Sequence, residues 1–116
     1  MISISVFRKL ALSFVEVEEL PHFEKSSFRV RKKIFTTLDT QHQRACVKLT
    51  EIDQSIYCAI DPAMIHSVPN KWGKMGWTYV ELGKVNKEIA KDILTTAYCT
   101  VAPKVLAEKY EEEDLA

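Results

Sequence analysis

A run of alternating apolar and basic residues constrains this chain more than any other part of its sequence. The run extends from Ser27 to Leu49 and reads SFRVRKKIFTTLDTQHQRACVKL. Apolar and polar side chains alternate with a period of two, which is typical of strands that have one buried face and one exposed face. Three antiparallel strands are predicted here, over Phe28–Arg31, Ile34–Leu38 and Arg44–Leu49, with a Lys32–Lys33 corner between the first two.

Four helices are predicted around these strands. The residues placed to begin them are Ser3, Thr50, Asn86 and Pro103. Ser, Thr and Asn are favoured caps because their side chains accept a hydrogen bond from the first helical turn, and proline suits the first helical position. The first helix is expected to run to about Ser13. The inward face of the second helix is expected to comprise Ile52, Ile56, Tyr57 and Ile60.

Two further strands are predicted after the second helix, over Ala63–Val68 and Trp77–Leu82. The acidic connector from Val15 to Ser26 contains Pro21 and is predicted to be a loop or an edge. The order of elements is then α-β-β-β-α-β-β-α-α. This order favours a two-layer α+β domain in which an antiparallel five-stranded sheet has helices packed on one face.

The length and charge of the chain limit what it can be. A chain of 116 residues with 47% hydrophobic residues predicts a single domain over 1–116 with a core of its own. The formal net charge is zero, which excludes a global polycation. The charge is unevenly placed, because the stretch from Lys25 to Lys48 holds seven basic residues and one acid, Asp39. The acidic tail over 111–116 is expected to fray because its like charges repel one another.

The cysteines and the hydropathy indicate a compartment. Cys46, Cys58 and Cys99 are far apart in apolar contexts, which favours reduced thiols over a disulfide framework. No stretch approaches the roughly 18–20 apolar residues of a membrane span, and the N-terminus lacks the pattern of a signal peptide. We therefore expect a cytoplasmic protein, a monomer with no membrane partner.

Basic residues of the strands form the first candidate site. Those expected on the exposed face are Arg29, Arg31, Arg44 and Lys48, those at the hairpin tip are Lys32 and Lys33, and outlying candidates are Lys71 and Lys74. Basic side chains at alternate positions of neighbouring strands lie roughly 5–7 Å apart, which suits successive phosphates. The alternative is a solvated sheet face whose Lys and Arg side chains discourage pairing with another strand edge. Its charges would then be compensated by nearby acids folded over it, namely Glu16, Glu18, Glu19 and Glu24.

Aromatic residues near the second tryptophan form another candidate site. Trp72, Trp77 and Tyr79 lie close in sequence to Lys71 and Lys74. Such a group can stack single-stranded bases or line a peptide groove, and Trp72 is expected to be partly exposed and available for stacking. The alternative is core packing, with the glycines of this loop serving the turn.

Metal binding and catalysis find little support in the pattern of residues. The three histidines, His22, His42 and His66, lie in separate elements without the spacing of a zinc site. No cysteine lies at a predicted helix N-terminus or beside a basic group in the sequence that would lower its pKa and activate it. We therefore predict no metal, no cofactor and no enzymatic activity.

Four segments resemble the MmcQ/YjbR family of small bacterial proteins. They are LPHFEKSSFRVRKKIFTTLD, ACVKLT, WGKMGWTYVELGKV and TAYCTVAPK, in that order and spacing. The resemblance covers about Phe7 to Lys104. It implies a fold like that of type III secretion chaperones and a "double wing" DNA-binding arrangement, and it implies no catalytic or ligand residues.

Two functions follow as hypotheses. The first is weak, salt-sensitive DNA binding through the basic strands, with little dependence on base sequence. The second is a protein- or peptide-interaction module, similar to a chaperone, that binds through the sheet face or an edge strand. The first predicts binding that falls with salt, and the second predicts an exposed apolar patch and salt-tolerant association.

Overall fold

Six antiparallel strands form one sheet in this computed structural model, which describes residues 1–115 and the side chains of residues 1–111. The strands are β1 (Val17–His22), β2 (Lys25–Val30), β3 (Lys33–Asp39), β4 (Arg44–Lys48), β5 (Ile65–Ser67) and β6 (Trp77–Glu81). Their order across the sheet is β1-β2-β3-β4-β6-β5. The predicted α+β class is confirmed, with six strands where the sequence predicted five.

The additional strand is β1, which arises from the acidic connector. Val17 pairs with Val30 and His22 pairs with Lys25, so the connector forms a hairpin with β2 at the edge of the sheet. Acidic side chains and Pro21 weaken the alternation that marks a strand in sequence. Both are tolerated at an edge, where one side of the strand has no partner and charged residues discourage further pairing.

Five helices accompany the sheet within residues 1–115. They are α1 (Ile4–Leu12), α2 (Glu51–Cys58), α3 (Lys71–Lys74), α4 (Lys87–Val101) and α5 (Lys104–Leu115). The predicted caps Ser3, Thr50 and Asn86 each accept a hydrogen bond from the backbone N–H three residues later. The short α3 lies in the segment that the sequence predicted to be a loop. Among the helices of residues 1–115, none is long and apolar enough to cross a membrane.

The predicted inward face of α2 is wrong at three of its four positions. Tyr57 is buried, and its hydroxyl donates to Asp92 Oδ2 at 2.8 Å. Ile52, Ile56 and Ile60 are exposed. The helix instead turns Gln54 inward, where its amide donates to backbone oxygens beside β6. A partly buried amide with three acceptors, the third being the Thr78 hydroxyl, therefore fixes the rotation of α2 and leaves the isoleucines outside.

An aromatic cluster ties the helices to the sheet. Phe14 stacks on Tyr98 with ring centroids 5.0 Å apart and meets Phe35 edge to face at 6.1 Å. The Tyr98 hydroxyl donates to the Val15 carbonyl at 2.7 Å, and the Val15 N–H donates to the Tyr110 hydroxyl at 2.9 Å. Burial raises the pKa of Tyr98 to about 12, so this hydroxyl stays a donor at neutral pH. The segment before β1 is thereby fixed to α4 and α5.

The acidic tail over 111–116 falls mostly on residues whose side chains lie outside the described part of the chain. Its predicted fraying stays a prediction.

Gly76 provides a test of the packing between the α3 segment and the start of α2. Its φ is 103°, and a Cβ at this position would collide with the Leu49 carbonyl. Gly76→Ala should therefore destabilise the fold by about 2 kcal/mol or more, measured by urea denaturation.

The matched control is Gly83→Ala, since a Cβ at Gly83 meets nothing within 4 Å. This variant should lie within about 0.5 kcal/mol of the natural protein. Equal stability of the two alanine variants would contradict the described packing.

Candidate nucleic-acid interface

The face of the sheet opposite the helices, called the open face, carries side chains from alternate positions of β4 and β6. On β4, Ala45 and Val47 are buried while the positions between them are partly exposed. The register places two open-face pairs side by side, Cys46 with Tyr79 and Lys48 with Trp77. The alternation of buried and exposed side chains predicted for β4 is therefore confirmed. As a result, aromatic and basic side chains lie together on the open face.

A concavity of about 450 Å³ lies on the open face. We call it the open-face groove, and its lining residues are His22, Lys25, Ile34, Thr37, Cys46, Val68, Trp72, Trp77 and Tyr79. Among the described residues, this lining is mainly apolar and aromatic and includes no carboxylate. Its volume lies within the range of small-ligand sites in proteins.

Three basic side chains lie in or beside this groove. Lys25 lines it directly, and Arg29 lies opposite the lining residue Ile34 in the strand register. The Lys48 ammonium lies 5.6 Å from the centroid of the Trp77 ring and donates to the Met75 carbonyl. Arg29 Nε donates to the Ser27 hydroxyl at 3.0 Å. Within the described residues, none of these three cations forms an ion pair.

The predicted candidate Arg44 is neutralised within the sheet. Its Nε lies 3.1 Å from Glu81 Oε2, and His66 Nε2 lies 2.7 Å from the same oxygen. Burial raises the pKa of Glu81, but the hydrogen bonds from Arg44 and His66 outweigh burial and hold the pKa below its ordinary value. The Arg44 guanidinium also lies 4.5 Å from the Tyr79 ring centroid, so this cation interacts with the ring as well as with Glu81.

The predicted location of Arg31 on the exposed strand face is wrong. Arg31 and Lys32 form the two-residue turn between β2 and β3, with φ of 47° and 70°. Positive φ at both central residues is the geometry of a tight hairpin turn whose twist matches its strands. The corner is therefore one residue earlier than predicted, and Lys33 begins β3.

The acids that flank the basic strands do not cover the open-face groove. Glu16 binds Arg31 with Oε1 at 3.1 Å from Nε, and this hydrogen bond lowers the pKa of Glu16. Glu19 binds Arg8 of α1 at 2.9 Å. Glu18 lies opposite Arg29 in the register, and Glu24 is exposed in the turn after β1. None of these four carboxylates lines the groove.

The remaining candidates lie around α3. Trp72 is 49% exposed, as predicted, and the Lys71 ammonium lies 5.6 Å from its ring centroid. Lys74 lines a separate concavity toward α2. The structure therefore groups Trp72 and Lys71 with the open face and separates Lys74, Arg31, Lys32 and Lys33 from it.

Two of the three thiols are less acidic than an ordinary cysteine. Burial raises the pKa of Cys46 to about 11 and also raises the pKa of Cys58, so both are protonated at neutral pH. No group of three or more metal-ligating side chains occurs among the described residues.

Lys25 is the functional candidate that the sequence analysis missed. It was assigned to the connector, yet Lys25, Ser27 and Arg29 alternate with buried or partly buried neighbours along β2. Extending the predicted strand by three residues, from Phe28 to Lys25, would have included it.

Together, the fold and this surface define a small α+β domain whose sheet is covered by helices on one side and open on the other. The YjbR family model matches residues 12–100, and the chain therefore belongs to the YjbR family. In fold the chain is similar to the crystal structure of Deinococcus radiodurans protein DR2400, with family-model domain DUF419. The TM-score is 0.75 at 18% sequence identity, covering 94% of this chain and 88% of that chain. No curated protein matches the chain.

The lowered pKa of Glu81 predicts an acid-sensitive contribution to stability. A carboxylate with a depressed folded-state pKa stabilises the fold above its unfolded pKa, and this contribution is lost as pH falls through the folded value. Glu81→Gln should cost about 1–2 kcal/mol at pH 7, with a deficit that shrinks below about pH 4. Urea denaturation over a pH series measures this difference.

Glu24→Gln, at an exposed position in the turn after β1, serves as the control. A Glu81→Gln deficit that stays constant from pH 7 to acid would contradict the charge-dependent account.

Proposed function

We propose that this YjbR-family protein is a non-enzymatic, cytoplasmic nucleic-acid-binding protein that acts through the open face. The observation that carries the proposal is a groove with an aromatic centre, no carboxylate among its described lining residues and three cations in or beside it, Lys25, Arg29 and Lys48. Cations without an ion-pair partner favour a polyanion, and exposed rings favour ligands with flat faces. Binding is weak, because few phosphates can be neutralised by so small a set.

Fewer basic residues are available for phosphate binding than the sequence predicted. Arg44 is occupied by Glu81 and Arg31 by Glu16, so neither is free to meet a phosphate without breaking an ion pair. Lys32 and Lys33 remain exposed at the hairpin tip and form the competing phosphate site. Two pairs of cations, Lys25 with Arg29 and Lys32 with Lys33, can therefore be tested against each other by the same change in charge.

The test is fluorescence anisotropy of labelled single-stranded and duplex oligonucleotides over a salt series. Three phosphate contacts to a single strand predict a slope of log affinity against log salt of about −2. Affinity should then fall roughly tenfold or more between about 50 and 200 mM salt. Lys25→Glu/Arg29→Glu should abolish saturable binding.

The matched control is Lys32→Glu/Lys33→Glu, which makes the same change in charge at the hairpin tip. This variant should keep most of the affinity, provided that both variants retain the circular dichroism spectrum of the natural protein. Loss of binding in the tip variant alone would move the site to the hairpin. Absence of binding near 50 mM salt would overturn the proposed function.

A second candidate function, protein interaction, is favoured by a row of exposed isoleucines that begins on α2 and ends in the turn after it. Ile52, Ile56 and Ile60 are 74%, 59% and 53% exposed and follow one another at four-residue spacing. Aligned apolar side chains on a surface helix are typical of protein-binding sites. The edge strands are less suited to peptide addition, because β1 carries Pro21 and β5 spans three residues.

Charge complementarity indicates the partner of this isoleucine row. From Thr50 to Asn70 the sequence has three acids, Glu51, Asp53 and Asp61, and neither Lys nor Arg. Antiparallel pairing with a second copy would bring these acids together. The row therefore suits a partner segment that carries basic residues beside its apolar side chains.

The test is an NMR titration of labelled protein with a designed amphipathic Leu-Lys helix and with its Leu-Glu counterpart. Amide shifts should appear along α2 with the Leu-Lys peptide alone and should disappear in Ile52→Gln/Ile56→Gln. The same shifts with the Leu-Glu peptide, or none on α2, would rule out this candidate.

A further inference from the structure

Trp72 is held beside the open-face groove by a strained backbone. Asn70 has φ 79° and ψ −163°, a conformation that residues other than glycine rarely adopt. Its side-chain oxygen accepts a hydrogen bond from the Trp72 N–H at 3.0 Å. At Gly73 a Cβ would collide with the Val68 carbonyl. The fold thus accepts local strain and close packing at the site where it leaves a large ring 49% exposed.

The segment that carries Trp72 is tied to the fold on both sides. The Gln54 amide donates to the Gly73 carbonyl at 2.9 Å and to the Trp77 carbonyl at 3.2 Å. The Val68 N–H donates to the Trp77 carbonyl at 3.1 Å. The groove wall formed by Val68 and Trp72 is therefore fixed before any ligand arrives, which reduces the entropy lost on binding.

The chemistry of the groove selects a ligand with a flat ring close to an anionic group. Trp72, Trp77 and Tyr79 supply the rings, while Lys25 lies in the lining. A nucleotide holds its base and phosphate in one short unit. An acidic peptide must place its ring and its carboxylate on separate side chains and order both, at a greater entropic cost.

Building on the proposed function, we infer that the open-face groove takes an unpaired base of a single-stranded nucleic acid, stacked on Trp72. Bases within a duplex are stacked on each other and cannot present a face to a side chain. The groove therefore distinguishes single strands from duplexes. Lys25, Arg29 and Lys48 contact the phosphates on either side of the stacked base.

The test compares two labelled oligonucleotides of about ten units that carry equal charge, oligothymidylate and an abasic sugar–phosphate strand. Stacking of one base predicts that oligothymidylate binds about 5- to 100-fold more tightly. Trp72→Ala should reduce its affinity to that of the abasic strand and leave abasic binding unchanged. Trp72→Phe should restore most of the difference, because phenylalanine keeps a ring to stack on.

Each outcome has a distinct meaning. Equal affinity of both strands for the natural protein would overturn the stacked base and leave phosphate binding, and hence the proposed function, intact. No binding of either strand would overturn both. Tighter binding of a copolymer of glutamate and tyrosine than of oligothymidylate, lost in Trp72→Ala, would assign the groove to an acidic peptide and overturn the inference.

Discussion

The antiparallel register of β4 against β6 is the constraint on which the open face depends. It places Ala45 opposite Val80 beneath the helices, where both are buried. Because side chains alternate along a strand, a slip of one residue would exchange the two faces and bury Lys48. Burial of the apolar pairs thus selects the same register that sets Lys48 beside Trp77. The composition of the open face follows from how the core is packed.

Charges on the open face are compensated at one end of the strands and uncompensated around the groove. At one end Glu81 binds Arg44 and His66, so the charges there largely compensate one another. Around the groove, Lys25 and Arg29 have no ion-pair partner among the described residues. A chain with zero net charge therefore offers a local basic surface at this groove.

The sequence was sufficient for the fold class, since period-two alternation and three helix caps are local signals. The orientation of a side chain that depends on a partner distant in sequence could not be predicted from such local signals. The isoleucines of α2 fit an inward face by spacing, but Gln54 takes that face because its amide finds acceptors beside β6. Arg31 continues the alternation in sequence, yet the twist of the hairpin places it in the turn. The groove itself is lined by residues of five strands and of α3, which are far apart in the sequence, so no short sequence pattern could indicate it.

The most direct measurement is a two-dimensional NMR titration of the labelled protein with single-stranded oligothymidylate at low salt. Our account predicts shifts of the Trp72 and Trp77 indole N–H signals and of amides along β2, β4 and β6 that line the open face. Signals of the Arg31–Lys32 turn and of α2 should stay in place. Shifts confined to that turn, or to the isoleucine face of α2, would contradict the account.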